Sequence, residues 1–366
     1  MHWLFQSIAL LCCRAKMPRL TVDPSWPLAA RMDALGGWLA TLYARGVFNG
    51  TVLIAKSGKI CFERHYGFAD IAEAAPLTGH SSFALASVSK QFTAMGIMLL
   101  AQRRKLTLHD SVAIHIPEFA DYREVTIRQL LQHISGLPDH MGLADAHWDV
   151  RSLLTMGDLI GLLRRHRLPL DFPPGERFEY SNTGYALLGE IIARVSGRPY
   201  AEFMVEEIFK PLGMNDSAAF NLTCEQCTLQ CRVFGFRKRF ICFGRKVLCD
   251  LNYLDGVFGD GGIYASADDL VRWDGALRDG TLIPCEVYEQ AYASGRLKSG
   301  QTTGYGFGWD IEAPDVVAHR GEWQGFTSYL RRDLKKQMLL VVLSNQGPSV
   351  CVDAIGARIG ALVEGL

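Results

Sequence analysis

Ser87 and Lys90 stand three positions apart in "FALASVSKQFTAMGIMLLAQRRKL", where a stretch of small residues gives way to an apolar-periodic run. On a helix, positions i and i+3 share a face, so the lysine amine can reach the serine hydroxyl and take its proton. The helix N-terminus also favours the negative charge that develops on an attacked oxygen. The plainer alternative is that Ser87 caps the helix while Lys90 is solvated on its first turn. The macrodipole disfavours a cation there, so Lys90 has no local helical reason for its place. Ser-x-x-Lys occurs once in the chain, against roughly one match expected by chance, so the pair needs company.

Tyr180-Ser181-Asn182 is the second candidate. An Asn N-cap accounts for Asn182 and leaves Tyr180 unexplained; a tyrosine just ahead of a helix start projects into a cleft as a proton shuttle, and Asn182 can donate to a substrate carbonyl. The third is His319-Arg320-Gly321-Glu322. Strand alternation sends His319 and Arg320 to opposite faces, and Gly321 lets another chain, such as a substrate backbone, approach closely. Gly-x-Ser-x-Gly and His-Glu-x-x-His, the marks of other hydrolase routes, are absent.

These residues must be held by recognisable elements. "TVLIAKSGKICFERHYG" (51–67) reads as an antiparallel hairpin turning at Ser57-Gly58. Helical periodicity runs from Val88 to Gln102, with Phe92, Met95, Met98 and Leu99 on one face. Further helices are expected over Thr126–His133, Asn182–Val195 with Gly197 as its stop, and Tyr200–Phe209 ahead of Pro211. Ser266-x-x-Asp269 opens a helix carrying Leu270, Trp273 and Leu277. Val316–Ala318, Phe326–Leu330 and Met338–Ser344 read as strands, and Ile355, Ile359, Leu362, Val363 and Leu366 as the stripe of a last helix. Strands at both ends with helices between predict an α/β (α+β) fold: one antiparallel sheet built from both chain ends and flanked by helices, plus an inserted helical lobe and a cleft between them. The expected division is an extension over residues 1–30 and a single domain over 31–366. Its α/β lobe spans about 31–90 and 255–366 and its helical lobe about 91–254.

Composition bounds the function classes. Hydrophobic residues make up 49% and charged residues 21% of the 366 residues, ordinary globular values. Lys+Arg and Asp+Glu both total 38, which gives no electrostatic reason to expect nucleic acid as a partner. No apolar run reaches the roughly 18 residues of an integral membrane span. Trp3–Cys13 is a poor signal peptide, because Arg14 and Lys16 follow it, and Met17 is a candidate start. Ala9-Leu10-Leu11-Cys12 lacks the small residue that a lipobox wants before its cysteine. Ten cysteines are too sparse for a disulfide scaffold. A cytoplasmic, reducing compartment is the reading, with a periplasmic or secreted one as the alternative if residues 1–16 act as a signal or anchor. Cys224, Cys227, Cys231, Cys242 and Cys249 fit no common zinc spacing, so no metal is expected.

The order and context of the three stretches resemble the serine β-lactamase and penicillin-binding protein family, in the branch of class C β-lactamases, DD-peptidases, D-aminopeptidases and related esterases. The resemblance covers roughly residues 35–365 and includes "SVSKQFTA", "LLQHISGLP" (130–138), "GDGGIYASADDLVRW" (259–273) and "YGFGW" (305–309). It implies a β-lactamase/transpeptidase-like fold in which Ser87 is the nucleophile, Lys90 its activator and Tyr180 the proton shuttle. Asn182, His319, Gly321 and Glu322 become substrate-binding residues, with the N–H groups of Ser87 and Glu322 as an oxyanion hole. No cofactor is implied.

Departures refine the expected substrate. Many class C β-lactamases carry lysine where this chain has His319, and Arg320 and Glu322 replace smaller residues. The expected function is therefore a serine hydrolase forming an acyl-enzyme on a small-molecule or peptide ester or amide, an esterase or D-amino-acid peptidase. A true β-lactamase or DD-carboxypeptidase is the alternative, and a non-catalytic ligand sensor the alternative of another class. With an unperturbed pKa of about 6.5, His319 would anchor a substrate carboxylate only when protonated. Turnover of such substrates is then expected to fall through about pH 6 to 8. The oligomeric state has no signature in the chain.

Overall fold

The computed structural model describes residues 17–23, 25–223, 229–238, 245–347 and 350–363. The Trp3–Cys13 run, Cys224, Cys227, Cys242 and Leu366 lie outside the described residues.

The elements that matter are helix α1 (Leu28–Ala44), the hairpin β1 (Gly50–Lys56) and β2 (Lys59–Tyr66), and helices α2 (Lys90–Gln102), α3 (Ile127–Leu131), α4 (His140–His147), α5 (Asn182–Ser196) and α6 (Ala267–Asp279). Strands β3 (Asp310–Ala313), β4 (Val316–Trp323), β5 (Phe326–Asp333) and β6 (Met338–Ser344) follow, and helix α7 (Val352–Val363) closes the described chain. The six strands form one sheet in the order β3-β4-β5-β6-β1-β2. Every neighbouring pair is antiparallel, and the two chain ends meet where Gly50 pairs with Ser344 and Lys56 with Met338. Gly50 is required there, since a Cβ would lie 1.9 Å from the Leu343 carbonyl oxygen.

Alternation along β1 explains how the sheet is covered. Val52 and Ile54 pack with Val342, Leu340 and the apolar faces of α1 and α7, including Leu35, Leu39, Ile355 and Ile359. Leu53 and Ala55 face the other way, into the larger core with Val341, Leu343, Phe92 and Trp273. Both faces of the central strands are buried, so β1 reads as a continuous apolar run.

Helix α2 departs from the one-sided expectation. From Lys90 to Leu100 every residue is buried, because the helix runs through the middle of the larger core against α5. Gly96 makes that approach possible: a Cβ would come within 2.8 Å of Ile192 Cδ1. The helix expected to stop before Pro211 instead continues from Tyr200 to Leu212 through a π-turn at Val205–Phe209. The Lys210 N–H reaches back to the Val205 carbonyl, five residues away, which accommodates a proline that can offer no N–H of its own. Gly197 closes α5 in the left-handed conformation, as expected. Ser266 caps α6 by accepting from Asp269 N, but the Asp269 carboxylate turns away to Asp216 N and Ser217 Oγ, each at 2.8 Å, so the capping box is half-formed.

A small three-stranded sheet, ordered Phe83–Ala84, Ile263–Ala265, Ala218–Ala219, sits beside the main one and brings the stretch before Ser87 against "GDGGIYA". Among the described residues no helix is long and apolar enough to cross a membrane.

Candidate active site

Ser87 lies in a 3-10 turn, Ala86–Ser89, that runs into α2. In a 3-10 turn positions i and i+3 eclipse, so the Lys90 side chain returns onto the Ser87 side chain. Lys90 Nζ is 3.1 Å from Ser87 Oγ. The turn is entered through Ala86 at φ +48°, a left-handed conformation that few non-glycine residues adopt. The capping alternative fails on both residues. Ser89, not Ser87, stands at the N-cap of α2 and caps nothing, accepting instead from Ile263 N at 3.1 Å. Lys90 is fully buried.

Two further oxygens hold the amine: Asn182 Oδ1 at 2.9 Å and the Asp260 carbonyl at 2.8 Å. Both can only accept, so two of the lysine's protons are committed to them. Only the Ser87 hydroxyl can act either way. A neutral amine has two protons and one electron pair; with its protons on the two carbonyl oxygens, its electron pair falls on the serine O–H. Burial lowers Lys90 to about 8, opposed by the charges of Asp260 and Asp139. The Asp260 carbonyl is presented by a loop whose Gly259 and Gly262 have φ +97° and +85°.

Tyr180 reaches the same point from the entrance to α5. Its ring lies 4.9 Å from Lys90 Nζ. The residue is 38% exposed at the cavity, yet desolvation around its hydroxyl raises the phenol above the usual range, and a hydrogen bond with Ser87 pulls the other way. The phenol therefore stays protonated at neutral pH and is a proton donor or relay, not a standing base. Beneath it lies His133, with ring centroids 4.2 Å apart. His133 has φ +55° and is buried. Its Nδ1 accepts from Ser181 N at 3.1 Å and its carbonyl from Glu179 N at 2.9 Å, so it clamps the Tyr180 segment from both sides. Burial and the nearby Lys90 push it well below its usual range, which keeps it neutral.

Asn182 turns out to be committed within the protein. Its amide oxygen accepts from Lys90, while its Nδ2 donates to Asp139 Oδ2 at 3.2 Å.

The third motif changes most against expectation. His319 is buried, at 3% exposure. Its Nδ1 is 2.7 Å from the Arg320 carbonyl, so Nδ1 carries the proton, and Nε2 accepts from the Tyr305 hydroxyl at 2.9 Å. Burial, with the Lys90 charge adding, lowers it to about 3. The expectation of a histidine titrating between pH 6 and 8 is therefore corrected: the imidazole is out of water and neutral throughout that window. Gly321 is also used differently. The chain that comes close to it is the protein's own, since a Cβ there would lie 2.2 Å from the Leu85 carbonyl oxygen and 2.4 Å from Ser328 Oγ. Gly321 thus lets β4 pack against the turn bearing Ser87. Pairing of β4 with β3 stops at Ala318, which leaves residues 319–323 beside that turn. Glu322 pairs with Arg320.

A cavity of about 460 Å³ opens over these groups. Ser87, Tyr180, Asn182 and Glu322 line it, whereas the buried Lys90, His319 and Gly321 are not among its lining residues. Its walls are largely apolar, including Met141, Phe220, Leu254 and Trp323, with Arg237, Asp255, Asp260 and Glu322 as charged members. Trp323 Nε1 donates to Asp255 at 2.7 Å, yet burial pushes this carboxyl up to about 6. The sequence reading gave no role to Asp139, Asp260, His133 or Tyr305. The glycines around Asp260 and the Asp N-cap position ahead of α4 were the available signals.

A family model described as Beta-lactamase matches residues 31–363. A penicillin-binding protein of Bacillus subtilis (strain 168) is 38% identical over 317 residues, covering 84% of this chain and 70% of that protein. Among solved structures, the octameric penicillin-binding protein homologue from Pyrococcus abyssi superposes with a TM-score of 0.78 at 28% identity, over 91% of this chain and 77% of that one. The D-amino acid amidase from Ochrobactrum anthropi SV3 gives a TM-score of 0.73 at 24% identity, over 92% and 98% of the two chains, a likeness of fold alone.

Proposed function

The chain belongs to the beta-lactamase family, and from that premise we propose that it is a serine hydrolase that cleaves an ester or amide through an acyl-enzyme on Ser87. The observation that carries this reading is the fully buried Lys90, whose amine is shared between two carbonyl oxygens and Ser87 Oγ. Neutral Lys90 takes the Ser87 proton as Oγ attacks the substrate carbonyl. The N–H groups of Ser87 and Glu322 receive the oxyanion, the role implied by the family resemblance. Tyr180, held protonated, passes its phenol proton to the leaving group and takes in exchange the proton that Lys90 received from Ser87, so both return to their starting states; water then releases the acyl group by the reverse relay.

Cavity chemistry supports an ester or a D-amino-acid amide as substrate. The walls are mainly apolar and the His319 position supplies no cation, while the Glu322 carboxylate on the wall is already paired with Arg320. A DD-carboxypeptidase or β-lactamase is the second reading, supported by Arg237 on the cavity wall and by the penicillin-binding relative. A panel of p-nitrophenyl esters, D-amino-acid amides, D-alanyl peptides and nitrocefin separates the two. The account expects the highest kcat/KM on the first two; nitrocefin or D-alanyl peptides leading the panel would reverse the order.

The pH dependence follows from Lys90. The groups facing its amine are Asp139 and Asp260, His133 and His319, and Tyr180 and Tyr185. Both histidines are held neutral and both tyrosines protonated, so Lys90 is the member of this set whose titration falls near pH 8, above that of the cavity-wall Asp255 at about 6. A base lowered to about 8 is active once deprotonated, so kcat/KM for a neutral ester is expected to rise with pH and level off above about 8. A rate that falls across that range would exclude neutral Lys90 as the base.

A second outcome concerns His319. Because it does not titrate in the neutral range, the ratio of kcat/KM for a carboxylate-bearing ester to that for its neutral analogue is expected to stay constant from about pH 6.5 to 8. A several-fold fall in that ratio would mean that His319 is protonated at the lower end and meets the substrate.

A further inference from the structure

Asp139 stands between two helix N-termini. Its Oδ1 accepts from Met141 N at 2.9 Å, capping α4, and its Oδ2 accepts from Asn182 N at 2.7 Å, the first residue of α5. Both dipole ends favour a negative charge at that point. The same Oδ2 is 3.2 Å from Asn182 Nδ2. This last contact is not needed to cap either helix.

Its consequence is chemical. The two ends of an asparagine amide are nearly the same shape, and only partners decide which way it faces. Were Asn182 reversed, its N–H would point at Lys90. A neutral amine would then accept from Asn182, and its electron pair would be lost to Ser87. A carboxylate oxygen can only accept, so Asp139 forces the Asn182 nitrogen toward itself and the amide oxygen toward Lys90.

We propose that Asp139 is a positioning residue that sets the Asn182 amide so that the free electron pair of Lys90 is aimed at Ser87. The inference rests on the hydrolase reading above and adds to it a residue 43 positions before Asn182 that touches neither the nucleophile nor its base. It also gives the motif "LLQHISGLPD" two supports in the site: His133 behind Tyr180, and Asp139 behind Asn182.

The test uses the full chain as wild type, Asp139→Ala and Asp139→Asn, assayed on a p-nitrophenyl ester across the alkaline rise, with fluorophosphonate labelling of Ser87 in parallel. Asp139→Ala is expected to lower kcat on the order of 100-fold, the scale of a misaligned reacting group, with KM little changed. Both variants remove a negative charge that raises Lys90, so both should move the midpoint of the rise to lower pH than in wild type. Asp139→Asn keeps an acceptor for Asn182 and should retain much of the rate that alanine loses. If alanine does not fold, Asp139→Ser, which keeps a hydroxyl cap for α4 but is too short to hold Asn182 Nδ2, takes its place with the same expected loss in kcat. An unchanged midpoint, with losses confined to KM or soluble yield, makes Asp139 a helix cap only and overturns the proposal. A wild type without Ser87 labelling and without the alkaline rise defeats the hydrolase reading, and the proposal falls with it.

Discussion

Ser87→Ala is expected to abolish turnover, on the order of 10⁴-fold or more in kcat, while leaving the fold intact. The loss is large because Ser87 Oγ is the atom that attacks: it lies 3.1 Å from the buried amine, and without it no acyl-enzyme forms on this turn. The fold survives because the hydroxyl caps no helix and Lys90, its buried partner, keeps two carbonyl acceptors. Thermal unfolding within a few degrees of wild type, with activity gone, is the expected pair of measurements. Substantial residual turnover on the ester panel would mean that another group attacks.

Lys90→Met is expected to cost nearly as much. Methionine fills a similar volume in the core and removes both the base and the donor to Asn182 and Asp260. Stranding two buried acceptors costs about 1–3 kcal/mol each, offset in part because no amine has to be desolvated. The variant should therefore fold with modestly lowered stability and lose on the order of 10³-fold or more in kcat. The decisive number is the double variant. When two groups act as one unit, removing the second costs little once the first is gone. Ser87→Ala/Lys90→Met should thus be scarcely slower than either single change. Losses that multiply would separate the residues and return Lys90 to a structural role.

Much of this site was legible in the chain because its central chemistry is local. The three-position step from Ser87 to Lys90 fixes their relation on any helical turn, and the turn seen is the tighter 3-10 form, which brings them closer still. Tyr180 and Asn182 were legible for the same reason: both sit at a helix entrance that the sequence announces. The sheet was legible from period-2 patterning at both ends of the chain. What sequence could not supply was anything decided across the fold. The Asp260 carbonyl that holds Lys90 lies 170 residues away and is backbone, so no side-chain type marks it. Asp139 meets Asn182 over 43 residues.

The role of His319 was misjudged for a related reason. A histidine's charge depends on its surroundings, and burial beside Lys90 with both nitrogens engaged could not be read from His-x-Gly alone. Gly321 was recognised as a site of close approach, but the partner, Leu85, comes from the nucleophile's own turn.

Peptide mapping by mass spectrometry after brief exposure to a fluorophosphonate tests the central claim most directly. The account predicts one covalent adduct, on Ser87, forming readily in wild type, far more slowly in Lys90→Met and not at all in Ser87→Ala. An adduct on another residue, or labelling of Ser87 at the same rate with and without Lys90, would contradict it.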